Sequence, residues 1–150
     1  MKRFRFSLET VLKVRRDTEE ARARELALAR AQRDRGAAQV AELEGALRDL
    51  LLSHSLERAK GLSLGVEAWY RDRTVDLDGR LAGSREELKA LEEAMEVCRL
   101  KAVEASRDRL VLEKLQERQF QEHQAEAARE EQALIDDRAQ RSRFAFGSKA

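Results

Sequence analysis

The feature that most constrains the fold is a seam of apolar residues in the second half of the chain, spaced at alternating steps of four and three. A mean spacing of 3.5 residues is the repeat of a coiled coil, whereas a strand would alternate every two residues. The positions between the seam residues are mostly charged, so this helix has one narrow stripe to bury against another helix. The seam consists of Leu77, Leu81, Ser84, Leu88, Leu91, Met95, Cys98, Ala102, Ala105, Arg109 and Leu112, all apolar except Ser84 and Arg109.

The composition agrees with long helices. The 150 residues include no Pro and 7 Gly, and 39% of them are charged, a bias typical of coiled coils. Aromatic residues make up 5% of the chain, which is too few large side chains for a thick globular interior. Because the net charge is +1, any electrostatic function must come from local segregation of charge.

The sequence also predicts the compartment. The single Cys98 excludes an internal disulfide and fits a reducing environment. No run of apolar residues is long enough to cross a membrane, and the N-terminal residues lack the apolar core of a signal peptide. We therefore expect a cytoplasmic protein without a transmembrane span.

A second, weaker seam runs through the first half of the chain. It extends from Leu8 to His54, and we expect its helix to begin near Leu8 with Ser7 as a partial N-cap. Polar residues and a glycine interrupt this seam. The interruptions are Arg15, Glu19, Arg22, Arg33 and Gly36.

The boundary between the two helices lies at a pair of glycines, Gly61 and Gly65, with Ser63 between them. Gly61 can end one helix, and Ser63 or Gly65 can begin the next. A short turn between two long amphipathic helices gives an antiparallel hairpin. The predicted fold class is thus all-α, a long antiparallel two-helix coiled-coil hairpin, with helix one at about 7–60, the turn at about 61–65, helix two at about 66–142 and a frayed tail at 143–150.

Folding the chain about residue 63 places residue i opposite roughly residue 126 − i. Apolar residues then meet along most of the hairpin. The expected pairs are Leu50 with Leu77, Leu47 with Leu81, Val40 with Leu88, Leu26 with Leu100, and Leu12 with Leu112 and Leu115.

The same register leaves helix two longer than helix one. From about residue 121, helix one has no residues to cover it, and this overhang is rich in Glu, Gln and Ala, with Leu134 and Ile135 as its large apolar pair. After Asp137 the charge becomes basic. Both chain ends therefore bring arginines and phenylalanines to one end of the hairpin, namely Phe4, Phe6, Arg15, Arg16, Arg138, Arg141, Arg143, Phe144 and Phe146.

No arrangement of residues predicts catalysis, a cofactor or a metal. His54 and His123 have no second ligand at metal-binding spacing, and we interpret both as solvent-facing helical residues. Cys98 is a seam residue and reads as a small buried hydrophobe. The carboxylates lie among arginines along helices and form solvated faces, so the chain is not expected to be an enzyme.

Two aromatic residues near the turn, Trp69 and Tyr70, stand out from this background. They either cover Leu62 and Leu64 locally or form an exposed anchor for a partner, because aromatic residues dominate interface hot spots.

Two blocks of the sequence resemble the bacterial flagellar export protein FliJ family. The first runs from Phe4 to Arg16 and the second from Leu112 to Arg118; a late motif, Glu130, Glu131, Leu134 and Asp136, adds to them. The resemblance implies an antiparallel coiled coil of the flagellar type III export apparatus, similar to the central stalk of rotary ATPases. It implies binding to the hexameric export ATPase FliI, to the cytoplasmic domain of the export gate FlhA, and to export chaperones, at the inner face of the cell membrane.

The resemblance also implies where these partners bind. The family's aromatic-then-leucine gate patch is matched only in part, because Arg73 stands where an apolar residue is expected. The predicted ATPase-ring contacts are Phe4, Phe6, Leu8, Val11, Arg15, Arg16, Arg138 and Arg141, and the predicted gate contacts are Trp69, Tyr70, Arg73 and Leu77.

Three other interpretations remain open from the sequence. A stalk protein of a virulence type III secretion system would have the same helical pattern. A structural homodimer would pair the seams between chains. Nucleic-acid binding at the basic end is a weaker alternative, whose affinity would depend on salt.

Overall fold

The computed structural model describes residues 3–147, with side chains as far as residue 141, and confirms an all-α hairpin. Helix α1 is Glu9–Lys60 and helix α2 is Leu64–Gly147. The predicted tail at 143–150 lies partly outside the described residues, and α2 itself continues to Gly147.

The start of α1 differs from the sequence prediction. The Glu9 backbone N–H donates to the Phe6 carbonyl at 3.3 Å, and the Leu12 N–H donates to the Leu8 carbonyl at 2.9 Å. Within the described residues the Ser7 hydroxyl makes no hydrogen bond, so backbone bonds replace the expected cap.

The turn is shorter than the predicted 61–65, because residues 61–63 separate the helices and α2 begins at Leu64. Gly61 has a φ of 93°, the left-handed conformation that ends a helix and favours glycine. Its N–H donates to the Arg58 carbonyl at 3.2 Å. The Ser63 hydroxyl accepts a hydrogen bond from the Val66 N–H at 3.4 Å, which makes Ser63 the N-cap of α2.

The chain divides into two compact units, which we describe separately. The turn unit is Glu20–Glu104. The terminal unit comprises the described parts of Met1–Glu19 and Ala105–Ala150.

The turn unit has one apolar cluster between its helices. Its buried members are Val40, Leu43, Leu77 and Leu81, against which Leu47, Leu50 and Leu88 pack. This cluster contains three of the predicted cross-helix pairs. The predicted pairing of Leu26 with Leu100 is wrong, because Leu100 lies between the seam positions Cys98 and Ala102 and is 55% exposed.

Small residues let the helices approach closely at the middle of the turn unit. A Cβ at Gly36 would lie 2.9 Å from the Leu91 Cδ1 atom, so glycine leaves room for the Leu91 side chain. Ser84 is buried on α2. Gly36 of the first seam and Ser84 of the second therefore fit between the helices, although neither is a large apolar residue.

The terminal unit has a thin core. Its buried residues are Phe6, Leu12 and Ala105, and Leu12 is only 1% exposed. Beyond His123 the described side chains of α2 are exposed with the exception of Ala127, which agrees with the predicted overhang.

Cross-helix ion pairs verify the register within each unit. Arg85 bonds Glu44 in the turn unit, and Arg15 bonds Asp108 in the terminal unit. Each pair lies about three residues from the 126 − i relation, within one turn of a helix. The seams are thus filled within one chain, and the homodimeric pairing between chains is not needed to bury them.

Candidate partner-binding surfaces

The two phenylalanines near the N-terminus, predicted as ring contacts, pack within the terminal unit. Phe6 is 6% exposed. Phe4 is half-buried and meets Phe120 edge to face at 5.3 Å and the His123 ring at 5.6 Å between centroids. These rings cover α2 beyond the start of α1, so Phe6 is not available as an exposed contact and His123 is not fully solvent-facing.

The arginines predicted to face the ring are engaged within the chain. Arg15 Nη1 bonds Asp108 Oδ2 at 3.0 Å, and Arg16 Nη2 bonds Glu113 Oε1 at 3.0 Å. Both arginine side chains remain about half exposed. They therefore link α1 to α2, so substituting either arginine removes a link between the helices as well as any contact with a partner.

A third cross-helix arginine joins a polar position of one seam, Arg109, to a polar position of the other, Glu19. Arg109 bonds Glu19 of α1 and Glu113 of α2, and its side chain is 23% exposed. The hydrogen bond from Arg109 lowers the pKa of the Glu19 carboxyl, although desolvation opposes this shift. A charged position in the seam can thus define register instead of breaking it.

The lowered pKa of Glu19 predicts how the stability of the hairpin depends on pH. A carboxyl whose pKa is lower in the folded state stabilises the fold above its ordinary value of 4.5 and loses this contribution as pH falls through the folded pKa. We expect the free energy of unfolding, measured in urea, to fall between pH 6 and pH 3. Glu19→Gln should flatten this dependence, and Glu117→Gln, at an exposed position, should leave it unchanged. Equal curves for both variants would contradict the assignment.

Apolar side chains beside the seam form what we call the terminal surface, which consists of Val11, Val14, Val111 and Leu115. Their exposed fractions are 42, 56, 66 and 36%. Val11 and Val111 line one shallow groove together with Arg15, Asp108 and Leu112. Of these four residues, only Val11 was predicted as a ring contact from the sequence. The other three flank the seam, and an apolar residue outside the seam was the sequence signal that could have identified them.

The remaining predicted ring contacts lie in less distinctive surroundings. Leu8 is half-buried at the start of α1. Arg138 and Arg141 are exposed on the overhang, and Arg141 bonds Asp137 at 2.9 Å one helical turn earlier. The overhang therefore presents charge of both signs.

In the turn unit, three aromatic rings from the two helices contact one another in sequence. The His54 ring of α1 stacks on Tyr70 of α2 at 4.7 Å with 18° between the ring planes. Trp69 then meets Tyr70 edge to face at 5.0 Å. Tyr70 is half-buried, whereas Trp69 is 57% exposed. We call Val66, Trp69 and Tyr70 the turn surface.

The His54 ring also contacts a carboxylate of α2. His54 Nε2 lies 2.9 Å from Glu67 Oε2, and Arg58 Nη2 lies 3.3 Å from Glu67 Oε1. The hydrogen bond with His54 is the largest cause of a lowered pKa at Glu67. The prediction that His54 faces solvent is therefore wrong, because aromatic stacking and an ion-pair geometry hold its ring between the helices.

Two other predicted gate contacts are placed differently. Leu77 is 4% exposed in the core of the turn unit and cannot present its side chain to a partner. Arg73 is exposed and bonds Asp76 at 3.1 Å. Sequence reasoning also missed exposed apolar residues near the turn, among them Leu51, Leu52, Leu56 and Val66.

Among the described residues there is no cluster of side chains suited to hold a metal ion. Neither α1 nor the described part of α2 contains an apolar stretch sufficient for a membrane span.

Comparison with known proteins identifies one family. The family model described as flagellar FliJ protein matches residues 4–145. No curated protein and no solved structure gives a significant match.

Proposed function

The chain belongs to the flagellar FliJ family, and we propose that it is a non-catalytic stalk that stimulates the hexameric export ATPase FliI and links it to the export gate FlhA. Family membership identifies a component of the flagellar protein export apparatus. The single observation that carries the finer proposal is that each unit has a group of exposed apolar residues, the terminal surface in one unit and the turn surface in the other. Two surfaces of this kind suit a protein that binds two partners.

The terminal surface is the proposed contact with the ATPase ring. Val111 and Val14 are more than half exposed, and contiguous exposed apolar residues mark interaction sites. Because Arg15 and Arg16 are already paired with carboxylates of α2, we assign the apolar contact to the valines. Arg138 and Arg141 on the overhang are exposed and add basic charge beside acidic residues, and Arg141 itself bonds Asp137.

The proposed mechanism is unequal contact with equivalent subunits. A hairpin with two different helices cannot touch all six subunits of a ring in the same way. It therefore binds some subunit interfaces better than others and shifts the population of their closed state. Since a stalk can only shift this equilibrium by its differential affinity, weakening the terminal surface should weaken stimulation.

The turn surface is the proposed contact with the cytoplasmic domain of the gate. Trp69 is a large aromatic side chain that is 57% exposed and meets the Tyr70 ring edge to face. Rigid aromatic side chains are the residues most enriched in interface hot spots. Leu77 is left out of this contact because it is buried.

The overhang of α2 is the proposed site for export chaperones. Its described residues carry exposed Leu134 and Ile135 within a charged helix, and neither packs against α1. An amphipathic helix without an intramolecular partner suits binding to another helical protein. With these three partners, the proposed location of the protein is the cytoplasm, at the inner face of the membrane.

The ATP hydrolysis rate of the cognate export ATPase, with and without this protein, tests the proposal. We expect wild-type protein to raise the rate and Val111→Asp to abolish the rise, because a charge in an apolar contact is costly to desolvate. Val75→Asp is a matched control, since Val75 is 67% exposed in the turn unit and Val111 is 66% exposed in the terminal unit. Loss of stimulation in both variants, or in neither, would refute the assignment to the terminal surface.

A charge swap separates the two roles of Arg15. Arg15→Asp should disturb the ion pair with Asp108, and adding Asp108→Arg should restore a pair of inverted polarity. If the double substitution restores stimulation, the role of Arg15 is only to bond Asp108 across the two helices. Stimulation that stays absent would identify a direct contact between Arg15 and the ring.

A further inference from the structure

His54 makes contacts that the proposed function does not use. It is on α1, yet its ring stacks on Tyr70 and its Nε2 atom meets the carboxylate of Glu67, both on α2. Its side chain is 21% exposed. Trp69, the exposed residue of the turn surface, touches this arrangement through Tyr70.

We propose that His54 is a positioning residue that fixes the rings of the turn surface and makes their order depend on proton uptake. The ordering of the rings by His54 is a property of the free protein. Its effect on binding to the gate rests on the proposed function. The consequence is a docking surface that is more ordered at mildly acidic pH than at mildly alkaline pH.

The positioning argument follows from the order of the contacts. An exposed tryptophan on a helix has few neighbours to restrict its rotamers, and here Tyr70 is a neighbour with the correct geometry for an edge-to-face pair. Tyr70 in turn stacks on the His54 ring, with 18° between the two ring planes. The orientation of Trp69 on α2 is thus set by a residue of α1, through one intermediate ring.

The proton dependence follows from what surrounds the imidazole. Histidine is the side chain that ordinarily changes charge between pH 5 and pH 8. An imidazolium would attract the Glu67 carboxylate more strongly than a neutral ring does, and it would add a cation–π interaction with Tyr70. Both gains favour the observed geometry, so protonation tightens the contact instead of breaking it.

The charged groups around His54 and Glu67 have opposite effects on a positive charge at His54. Glu67 on α2 is the anion that faces His54, and its lowered pKa keeps it ionised through the range in which histidine titrates. Arg58 on α1 bonds the same carboxylate, and Arg71 on α2 also acts on it electrostatically. These arginines act on the same carboxylate as His54 and so disfavour a further positive charge beside it.

The fluorescence of the free protein tests the proposal without any partner. Trp69 is the single tryptophan of the chain, so its emission reports on the turn surface alone. We expect the anisotropy of Trp69 to rise, and its quenching by acrylamide to fall, in one step as pH is lowered from 8 to 5. His54→Gln removes the ring and the titrating charge, and should abolish the step.

The chain provides a matched control in its other histidine. His123 is in the terminal unit beside Phe4, and His123→Gln should leave the step in Trp69 anisotropy unchanged. His54→Phe keeps a ring against Tyr70 but removes the bond to Glu67, and should give a restricted Trp69 without a pH step. Should His54→Gln lower the helical circular dichroism signal, Glu67→Gln gives the second test, in which the step becomes smaller at unchanged helicity.

The outcomes separate the proposal from the proposed function. A step that persists in His54→Gln, or that disappears in His123→Gln, would overturn the role of His54. If the step follows His54 and the gate domain binds more tightly at pH 6 than at pH 8 only when His54 is present, both ideas are supported. If the step follows His54 but the gate domain binds at neither pH, the gate assignment fails and the positioning role stands.

Discussion

Leu12→Ala is expected to lower the free energy of unfolding by about 2 to 5 kcal/mol, the range for truncating a fully buried leucine. Leu12 is 1% exposed, and it is the largest fully buried side chain among the described residues. Because the terminal unit buries few other side chains, little neighbouring material can move in to fill the space. The cavity term should therefore be large.

Urea denaturation followed by circular dichroism measures this effect. Leu28→Ala is the matched control, because Leu28 is on the same helix and is 66% exposed. Its substitution should change the free energy of unfolding by no more than about 0.5 kcal/mol, as is usual at exposed positions. Comparable losses in the two variants would show that Leu12 is not the packing centre of the terminal unit.

Trp69→Ala is expected to weaken binding to the soluble domain of the export gate by about 30-fold, which corresponds to about 2 kcal/mol for an aromatic hot spot. The expected loss is large because one side chain supplies most of the exposed aromatic area of the turn surface. Titration calorimetry with the purified gate domain gives the affinity directly.

Leu100→Ala is the matched control for Trp69→Ala, because Leu100 is in the same unit and its exposed fraction is similar to that of Trp69. Leu100 is 55% exposed and Trp69 is 57% exposed, so a general loss of surface hydrophobicity would weaken both variants equally. We expect the Leu100 variant to bind like the wild type. A wild-type affinity in Trp69→Ala would instead move the gate contact to other exposed apolar residues near the turn, such as Leu56 or Leu64.

The structure changes how charge reversal at the terminal unit must be interpreted. Arg15 and Arg16 appear from the sequence as a free basic patch, but each bonds a carboxylate across the hairpin. Exposed ion pairs of this kind contribute little stability individually, although the network of Arg109 with Glu19 and Glu113 is less exposed. Loss of activity in an arginine variant therefore needs the charge-swap control before it identifies a contact.

The sequence alone determined the architecture, since the information for it is local and periodic. Every seam position from Leu77 to Leu112 is buried or half-buried, because a 3.5-residue repeat decides which face of a helix meets its partner. The turn at Gly61 and Ser63 then fixed the register, since two helices joined by a short turn can pair in few ways. The overhang followed from unequal helix lengths.

Only the tertiary structure decided which functional side chains are available. Arg15 and Asp108 are 93 residues apart in the chain, and no local pattern shows that their side chains meet. The stacking of His54 on Tyr70 depends likewise on rotamers chosen against the other helix. Helix faces are set by backbone periodicity, but the pairing of long charged and aromatic side chains is set by neighbours that only the folded hairpin brings together.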